Sequence, residues 1–279
     1  MAIWSQLSTY LADQFGAALI VLCVLSALEL MFPAGRQSVG GRVAGLAFWI
    51  IYLPVATLAM NGFGMMWQAL GVRPLAVLHL DTDWAGPLAV LIGPVVGALV
   101  YDFFFYWYHR AQHRWFWRFH AVHHSIRELN TVNSYHHLSE VVFQSAGLML
   151  PASLFLVDGG LGAPVVVVLI RFHASFIHSS TRLHLGPLRL FLCDNRFHRI
   201  HHSLEERHFD RNFGAFTTLW DRVFGTAHFP EPDEWPATGL EGVAQPETVG
   251  AWLALPMTIG RPAAPAHGAI PTAAAHGQI

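Results

Sequence analysis

The chemistry-bearing residues of this chain are its histidines, and they are gathered into a few short windows. Tyr101 to Glu140 reads YDFFFYWYHRAQHRWFWRFHAVHHSIRELNTVNSYHHLSE and holds His109, His113, His120, His123, His124, His136 and His137. His198, His201 and His202 form a second window, with His178 between the two. Imidazole is the commonest metal-ligating side chain, and near neutral pH it binds a cation without adding negative charge. His109 and His113 are four apart, which on a helix puts both on one face. His120-Ala-Val-His123-His124 and His198-Arg-Ile-His201-His202 carry the same three- and four-residue spacing, so each first ring shares a face with the pair that follows. Two such patterns beside an HxxxH, rimmed by aromatic residues, point to a metal centre rather than to polar surface.

The remaining candidates carry different weights. His137 precedes Glu140 by three, so one helical face offers an imidazole and a carboxylate, and His178 stands where the last apolar run ends; both are expected as ligands. His136 points elsewhere and is expected beside the site or exposed. His173, five residues before His178, lies about 140° round a helix and is a weaker candidate. His79, His184, His208 and His228 read as loop residues. Asp102, seven residues before His109, is an ionisable group inside an apolar run and is expected behind a ligand histidine.

Imidazole-rich ligation suits iron, copper, nickel or zinc. The HExxH of zinc proteases is absent, because Arg110 stands where its general base would be. The Glu-x-x-His pairs of carboxylate-bridged di-iron bundles are absent too. The set exceeds what one tetrahedral zinc uses. Two ions sharing it, each with an open position, suit dioxygen chemistry, which can attack an unactivated C–H bond.

The elements that must position these rings are greasy. The chain has 279 residues, 53% of them apolar and only 12% charged, against the usual quarter or so charged in a globular domain. A net charge of −2 creates no field that would recruit nucleic acid. The two cysteines, Cys23 and Cys193, offer neither a disulfide framework nor a thiolate metal site. Apolar runs cover 15–32, 43–60, 87–108, 141–157 and 161–177, and a spanning helix needs roughly 20 such residues. The N-terminus shows no basic n-region and no cleavage site, so the first run is expected to stay as an anchor.

These runs predict an all-α fold: a multi-span transmembrane bundle of four or five spans or re-entrant segments, with a cytosolic histidine-rich helical cap. The last two runs form either two spans or a shallow hairpin. Arginines cluster in 33–42, 109–140 and 178–279, which places those segments and both histidine windows on the cytoplasmic side. Residues 1–86 are expected as anchor spans, 87–228 as the histidine-box domain with its membrane helices, and 229–279 as a C-terminal segment disordered after about 260. His267 and His276 in that tail receive no role. With apolar spans beside the site, a lipid is the natural substrate class.

HRAQH (109–113), HAVHH (120–124) and HRIHH (198–202), followed by NFGAFTTLWDRVFGT (212–226), resemble the fatty acid hydroxylase superfamily, also called the sterol desaturase family. The similarity covers roughly residues 90 to 260. It implies that His109, His113, His120, His123, His124, His198, His201 and His202 hold two irons on the cytosolic face. There, dioxygen and two electrons would hydroxylate or desaturate a lipid chain or sterol ring. His178, in FIHSS, resembles the family histidine of an HSN triplet, with Ser180 at the third place. His137 resembles the histidine of an HPxE motif, with Leu138 in place of proline. Asn195, Asn212 and Asp221 match recurring polar positions and, with Asp102 and Glu140, are expected as supporting residues.

The chain has no HPGG haem signature and no flavin or nicotinamide fingerprint. Electrons are therefore expected from a separate donor: a cytochrome b5-like protein, a ferredoxin or a reductase. The resemblance implies an integral membrane protein of the bacterial inner membrane or, in a eukaryote, the endoplasmic reticulum. Two alternatives stand beside it. A membrane metal transporter would place its histidines at mid-membrane. A zinc-dependent membrane hydrolase would need the general-base glutamate that is missing.

Overall fold

Runs of Leu, Val, Ala and aromatic residues with few polar breaks fold as long helices in the computed structural model, which describes residues 2–79, 89–158 and 162–259. The tail past 260, with His267 and His276, lies outside the described residues, as do Asp81 and Asp83. Helix α1 spans Ala2–Met31 and α2 spans Val39–Ala69. The Ser38 hydroxyl caps α2 by accepting from Gly41 N at 2.9 Å, and Pro54 sits inside it without ending it. Among the described residues, α2 is the helix both long and apolar enough to cross a membrane. Its Val43, Leu46, Ile50 and Leu58 are uncovered by protein.

The chain is mostly helical, but the all-α expectation needs one correction. Strand β1 (Ala76–His79) pairs in parallel with β2 (Phe155–Asp158), Ala76 opposite Phe155 and His79 opposite Asp158. A four-residue apolar stretch carries no period that separates strand from helix end, which is why the sequence does not announce it. Consequently the apolar run 141–157 is not one helix. It comprises α5 (Glu140–Gln144), a π-helical turn at Ser145–Met149, α6 (Leu150–Ser153) and then β2.

Helix α3 spans Ala89–Trp115, so it continues beyond the apolar run and carries His109 and His113 on its last turns. Phe116 leaves helical geometry (φ −116°, ψ 20°), and α4 restarts at Trp117 and ends at His124. Helix α7 spans Gly162–Ile177, α8 Asn195–His201, α9 Leu219–Val223 and α10 Val249–Thr258. Composition did not foretell α10. Its Thr248 hydroxyl accepts from Ala251 N, and its Trp252 is fully buried.

Two apolar clusters sit under the histidine windows. Phe48, Val122, Ile126, Leu129, Tyr135 and Trp252 pack together, with the Phe48 ring 4.2 Å from Tyr135 and 4.9 Å from Trp252. Val122 lies between His120 and His123 in sequence, so this cluster seats α4 on α2 and α10. Ile177, Cys193, Phe197 and Ala215 form the second cluster, beside His178 and His198. Burying each large side chain contributes about 1.5–3 kcal/mol.

Polar ties fix the loops between. Glu29, fully buried, accepts from Thr131 N (2.9 Å), Thr131 Oγ1 (3.1 Å) and Ser180 N (2.7 Å), and pairs with Arg42 at 2.6 Å. One carboxylate thus joins α1, α2, the 131 loop and the turn that follows His178. Gly45 is required where α2 meets that loop, because a Cβ there would lie 2.6 Å from Val132 O and 2.9 Å from Asn133 Cα.

Candidate metal centre

The histidine windows come from four helix ends that meet at one place. Helix α3 brings His109 and His113, and α4 brings His120, His123 and His124. The end of α7 brings His178, and α8 with its C-cap brings His198, His201 and His202. The rings sort into two adjacent groups, within each of which the potential ligand atoms lie within 4.8 Å of one another. His109, His113, His120, His124 and His201 form the first; His123, His178, His198 and His202 form the second.

Each HxxHH pattern straddles both groups, which refines the expectation that one face holds all three rings. Consecutive helical residues are about 100° apart, so the adjacent pair diverges while the four-spaced pair converges. Hence His120 and His124 enter the first group and His123 the second, whereas His198 and His202 enter the second and His201 the first. The groups touch: His124 and His202 stack with centroids 4.5 Å apart.

Hydrogen bonds set the ring tautomers. The Nδ1–H of His109 donates to Phe213 O (2.8 Å), that of His123 to Tyr135 O (3.1 Å), that of His178 to Ala174 O (2.6 Å) and that of His201 to Arg211 O (2.8 Å). A carbonyl only accepts, so in these rings the proton is on Nδ1 and Nε2 is a bare lone pair. Yet His123 Nε2 faces His178 Nε2 at 3.0 Å. His109 Nε2 faces His120 Nε2 at 2.9 Å, and His120 turns its Nδ1 to the Glu140 carboxylate at 3.3 Å. Lone pair against lone pair at that distance is not a hydrogen bond. It calls for a cation between the rings, and the donor set therefore fits metal ions.

Electrostatics agrees. Burial, reinforced by neighbouring imidazoles, holds His109, His123, His124, His198, His201 and His202 well below 6.5. Burial likewise lowers His178 to about 3, and lowers His120 to about 4 against the pull of Glu140. The rings are neutral and ready to ligate. Burial alone pushes Glu140 upward, but His120 and His136 outweigh it and keep the carboxyl well below its usual range. Glu140 also accepts from Gln112 Nε2 at 2.7 Å, so it is ionised and fixed in place.

The supporting residues act mostly through backbone. Among the described residues Asp102 touches no imidazole, which corrects the expectation of a carboxylate directly behind His109: two helical turns separate them by about 10 Å. It accepts instead from Ala215 N (3.0 Å), Phe216 N (2.8 Å), Thr217 N (2.9 Å) and Thr217 Oγ1 (2.8 Å). Asp221 accepts from Phe213 N (2.8 Å), Gly214 N (2.7 Å) and Thr226 Oγ1 (2.6 Å). Asn212, at φ 58°, donates to Phe197 O (2.7 Å) and His228 O (2.8 Å). Together they hold the 211–217 loop whose carbonyls orient His109 and His201. Asn195 donates to Ser179 O (3.3 Å) and Thr181 O (2.7 Å), tying α8 to the turn after His178.

His137 belongs to neither group, contrary to the sequence expectation. Its Nδ1 meets Ser139 Oγ at 2.7 Å and its Nε2 turns toward Leu253 O. A spacing of three aligns His137 with Glu140 only on a helix, and α5 starts only at Glu140. His136 takes the inward place: it stacks on His123 with centroids 3.9 Å apart and bonds Glu140 at 3.0 Å. His173 lies apart, against Phe216. Asp210, unnoticed in the sequence, meets His113 Nδ1 at 3.2 Å from a left-handed backbone conformation (φ 56°).

The chain is similar to an ornithine lipid hydroxylase of Rhizobium tropici, 30% identical over 57% of this chain and 49% of that protein. It is similar to the alkylglycerol monooxygenase of Danio rerio, 34% identical over 56% of this chain and 33% of that one. A very-long-chain aldehyde decarbonylase of Oryza sativa subsp. indica is 27% identical over 63% of this chain and 26% of its own length. The chain thus spans half or less of these relatives. No solved structure matches. Residues 94–226, which supply all nine imidazoles of the two groups, match the fatty acid hydroxylase family model.

Proposed function

We propose that this protein is a membrane-bound oxidoreductase that holds two iron ions and uses dioxygen and two electrons to hydroxylate or desaturate a lipid. The observation that carries the reading is the pair of adjacent imidazole groups whose bare Nε2 atoms face one another. His109, His113, His120, His124 and His201 would hold one ion, and His123, His178, His198 and His202 the other. Bound iron would supply dioxygen activation and the one-electron chemistry that an unactivated C–H bond requires.

The residues of the chain do the rest. Backbone carbonyls of Tyr135, Ala174, Arg211 and Phe213 lock the rings in one tautomer and one orientation, which raises ligand basicity. Glu140, ionised beside His120, offsets part of the positive charge that the ions bring. Burial of the rings keeps water out and strengthens every electrostatic interaction inside.

The site accounts for a membrane setting. Exposed Leu, Ile and Val along α2 suit lipid better than water. In our reading α1, α2 and α3 cross the bilayer. The segment from Glu140 to Ser153, about 21 Å long at 1.5 Å per residue, is too short to span and forms a re-entrant pair with α7. The arginine-rich segments support a position for the imidazoles on the cytoplasmic face. Residues 87–228 then form the catalytic domain, anchored by 1–86 and backed by the C-terminal segment through Trp252. Electrons come from a separate protein. The relatives named for ornithine lipids and alkylglycerols support a lipid with a polar head.

The test is comparative lipid analysis of cells with and without the protein. A lipid gaining one oxygen or losing two hydrogens, dependent on air and on His123, supports the reading. An air-independent hydrolytic product would replace it with the zinc-hydrolase alternative.

A further inference from the structure

A second kind of metal site lies outside the two imidazole groups. We infer that His208, His228 and Glu234 form a site for a single divalent ion of the zinc class, which pins the segment after the WDRVFGT stretch onto the helix that carries the last histidine box.

The potential ligand atoms of these three residues lie within 4.8 Å of one another. His208 is fully buried, and among the described residues its Nε2 has no hydrogen-bond partner although Glu234 Oε1 is only 3.2 Å away. Its Nδ1 meets Ser203 Oγ at 2.8 Å. Nε2 is thus left unpartnered beside a carboxylate oxygen, an arrangement that a cation resolves. His228 Nε2 lies 3.8 Å from Glu234 Oε2, and the two rings meet at 67° with centroids 4.8 Å apart.

Two imidazoles and one carboxylate are a recurrent zinc donor set with one position left open. Zinc bonds of about 2.0–2.1 Å need donors about 3.4 Å apart, so a small inward movement closes the site. The surrounding bonds hold the ligands as metal ligands are usually held. Glu231 N donates to Glu234 Oε2 at 2.9 Å, and Arg207 pairs with Glu234 Oε1 at 2.5 Å. That guanidinium is the competing cation an ion would have to displace.

The location gives the ion a structural job. Arg196 on α8 donates to Glu231 O and Pro232 O, and Arg199 donates to Pro236 O at 2.7 Å while lying over the Trp235 ring. The 231–236 segment therefore covers the helix of His198 and His201. An ion bridging His208 to His228 and Glu234 would clamp that cover.

The test is cobalt(II) titration of the full chain in detergent after metals are stripped, with H208A, H228A and E234Q in parallel. His228 is partly exposed and its backbone bonds to Asn212 survive in H228A, so that variant folds; E234Q keeps side-chain shape. The expected result is three cobalt equivalents bound by the natural chain, two by each variant, and a smaller metal-induced rise in melting temperature in the variants. Two equivalents in the natural chain, or a third that persists in H228A and E234Q, would overturn the site and leave an ion-pair cluster around Arg207.

Discussion

Asp221→Asn isolates the claim that loop backbone, not only the histidines, builds the metal centre. Asp221 accepts from Phe213 N at 2.8 Å, Gly214 N at 2.7 Å and Thr226 Oγ1 at 2.6 Å, and Phe213 O in turn takes the Nδ1 proton of His109. Asparagine keeps the shape and can still accept from one backbone N–H, but turns its own NH2 toward the other. One charge-assisted hydrogen bond is lost and a donor faces a donor, costing about 3 kcal/mol. The 213–214 backbone then shifts from His109, and weakening such an outer contact lowers metal affinity about 10- to 100-fold. Iron retained per chain is read after dialysis against increasing chelator. The expected outcome is loss of one iron at about 10- to 100-fold less chelator, with the ion of the His123, His178, His198 and His202 group retained. Unchanged retention of both irons alongside a lowered melting temperature would refute the reasoning, because the loop would then be packing alone.

Three further outcomes follow from the same geometry. His137→Ala should keep the iron content of the natural chain whereas His123→Ala should lose iron; equal loss in both would restore His137 as a ligand. Gly45→Val should destabilise the fold by about 1–3 kcal/mol, since its side chain would collide with the 132–133 backbone; an unshifted melting curve would show that α2 does not approach that loop. The iron-stripped chain should weaken in acid. His120 and His178 titrate near 4 and 3 when folded but at about 6.5 when unfolded, so between these values the unfolded chain binds more protons. Their contribution is complete above about pH 6.5 and is lost as pH falls toward 4, which denaturant melts of stripped protein at about pH 7.5 and about pH 5 would register.

What could be read from the sequence is what helical period controls. HRAQH, HAVHH and HRIHH announce themselves because four-residue spacing aligns rings on a helix, and α3, α4 and α8 are helical there. His137 lies where that period does not hold, because the chain before Glu140 is still a loop. Glu29, inside the apolar run 15–32, carries no local signal of its role, because its partners Thr131 and Ser180 are more than a hundred residues away. The β1–β2 pairing, and the meeting of His208 with His228 and Glu234, likewise depend on tertiary approach between short segments without period. Trp252 gave no warning either, since its burial against Phe48 arises only once α10 folds back on α2.

Metal counting with iron X-ray absorption on the purified chain decides whether the nine clustered imidazoles hold two ions. The expected result is two irons per chain, each surrounded mainly by imidazole nitrogens, and loss of that signature in both His123→Ala and His201→Ala. A chain that takes up no iron, or whose iron signature survives both substitutions, would contradict it.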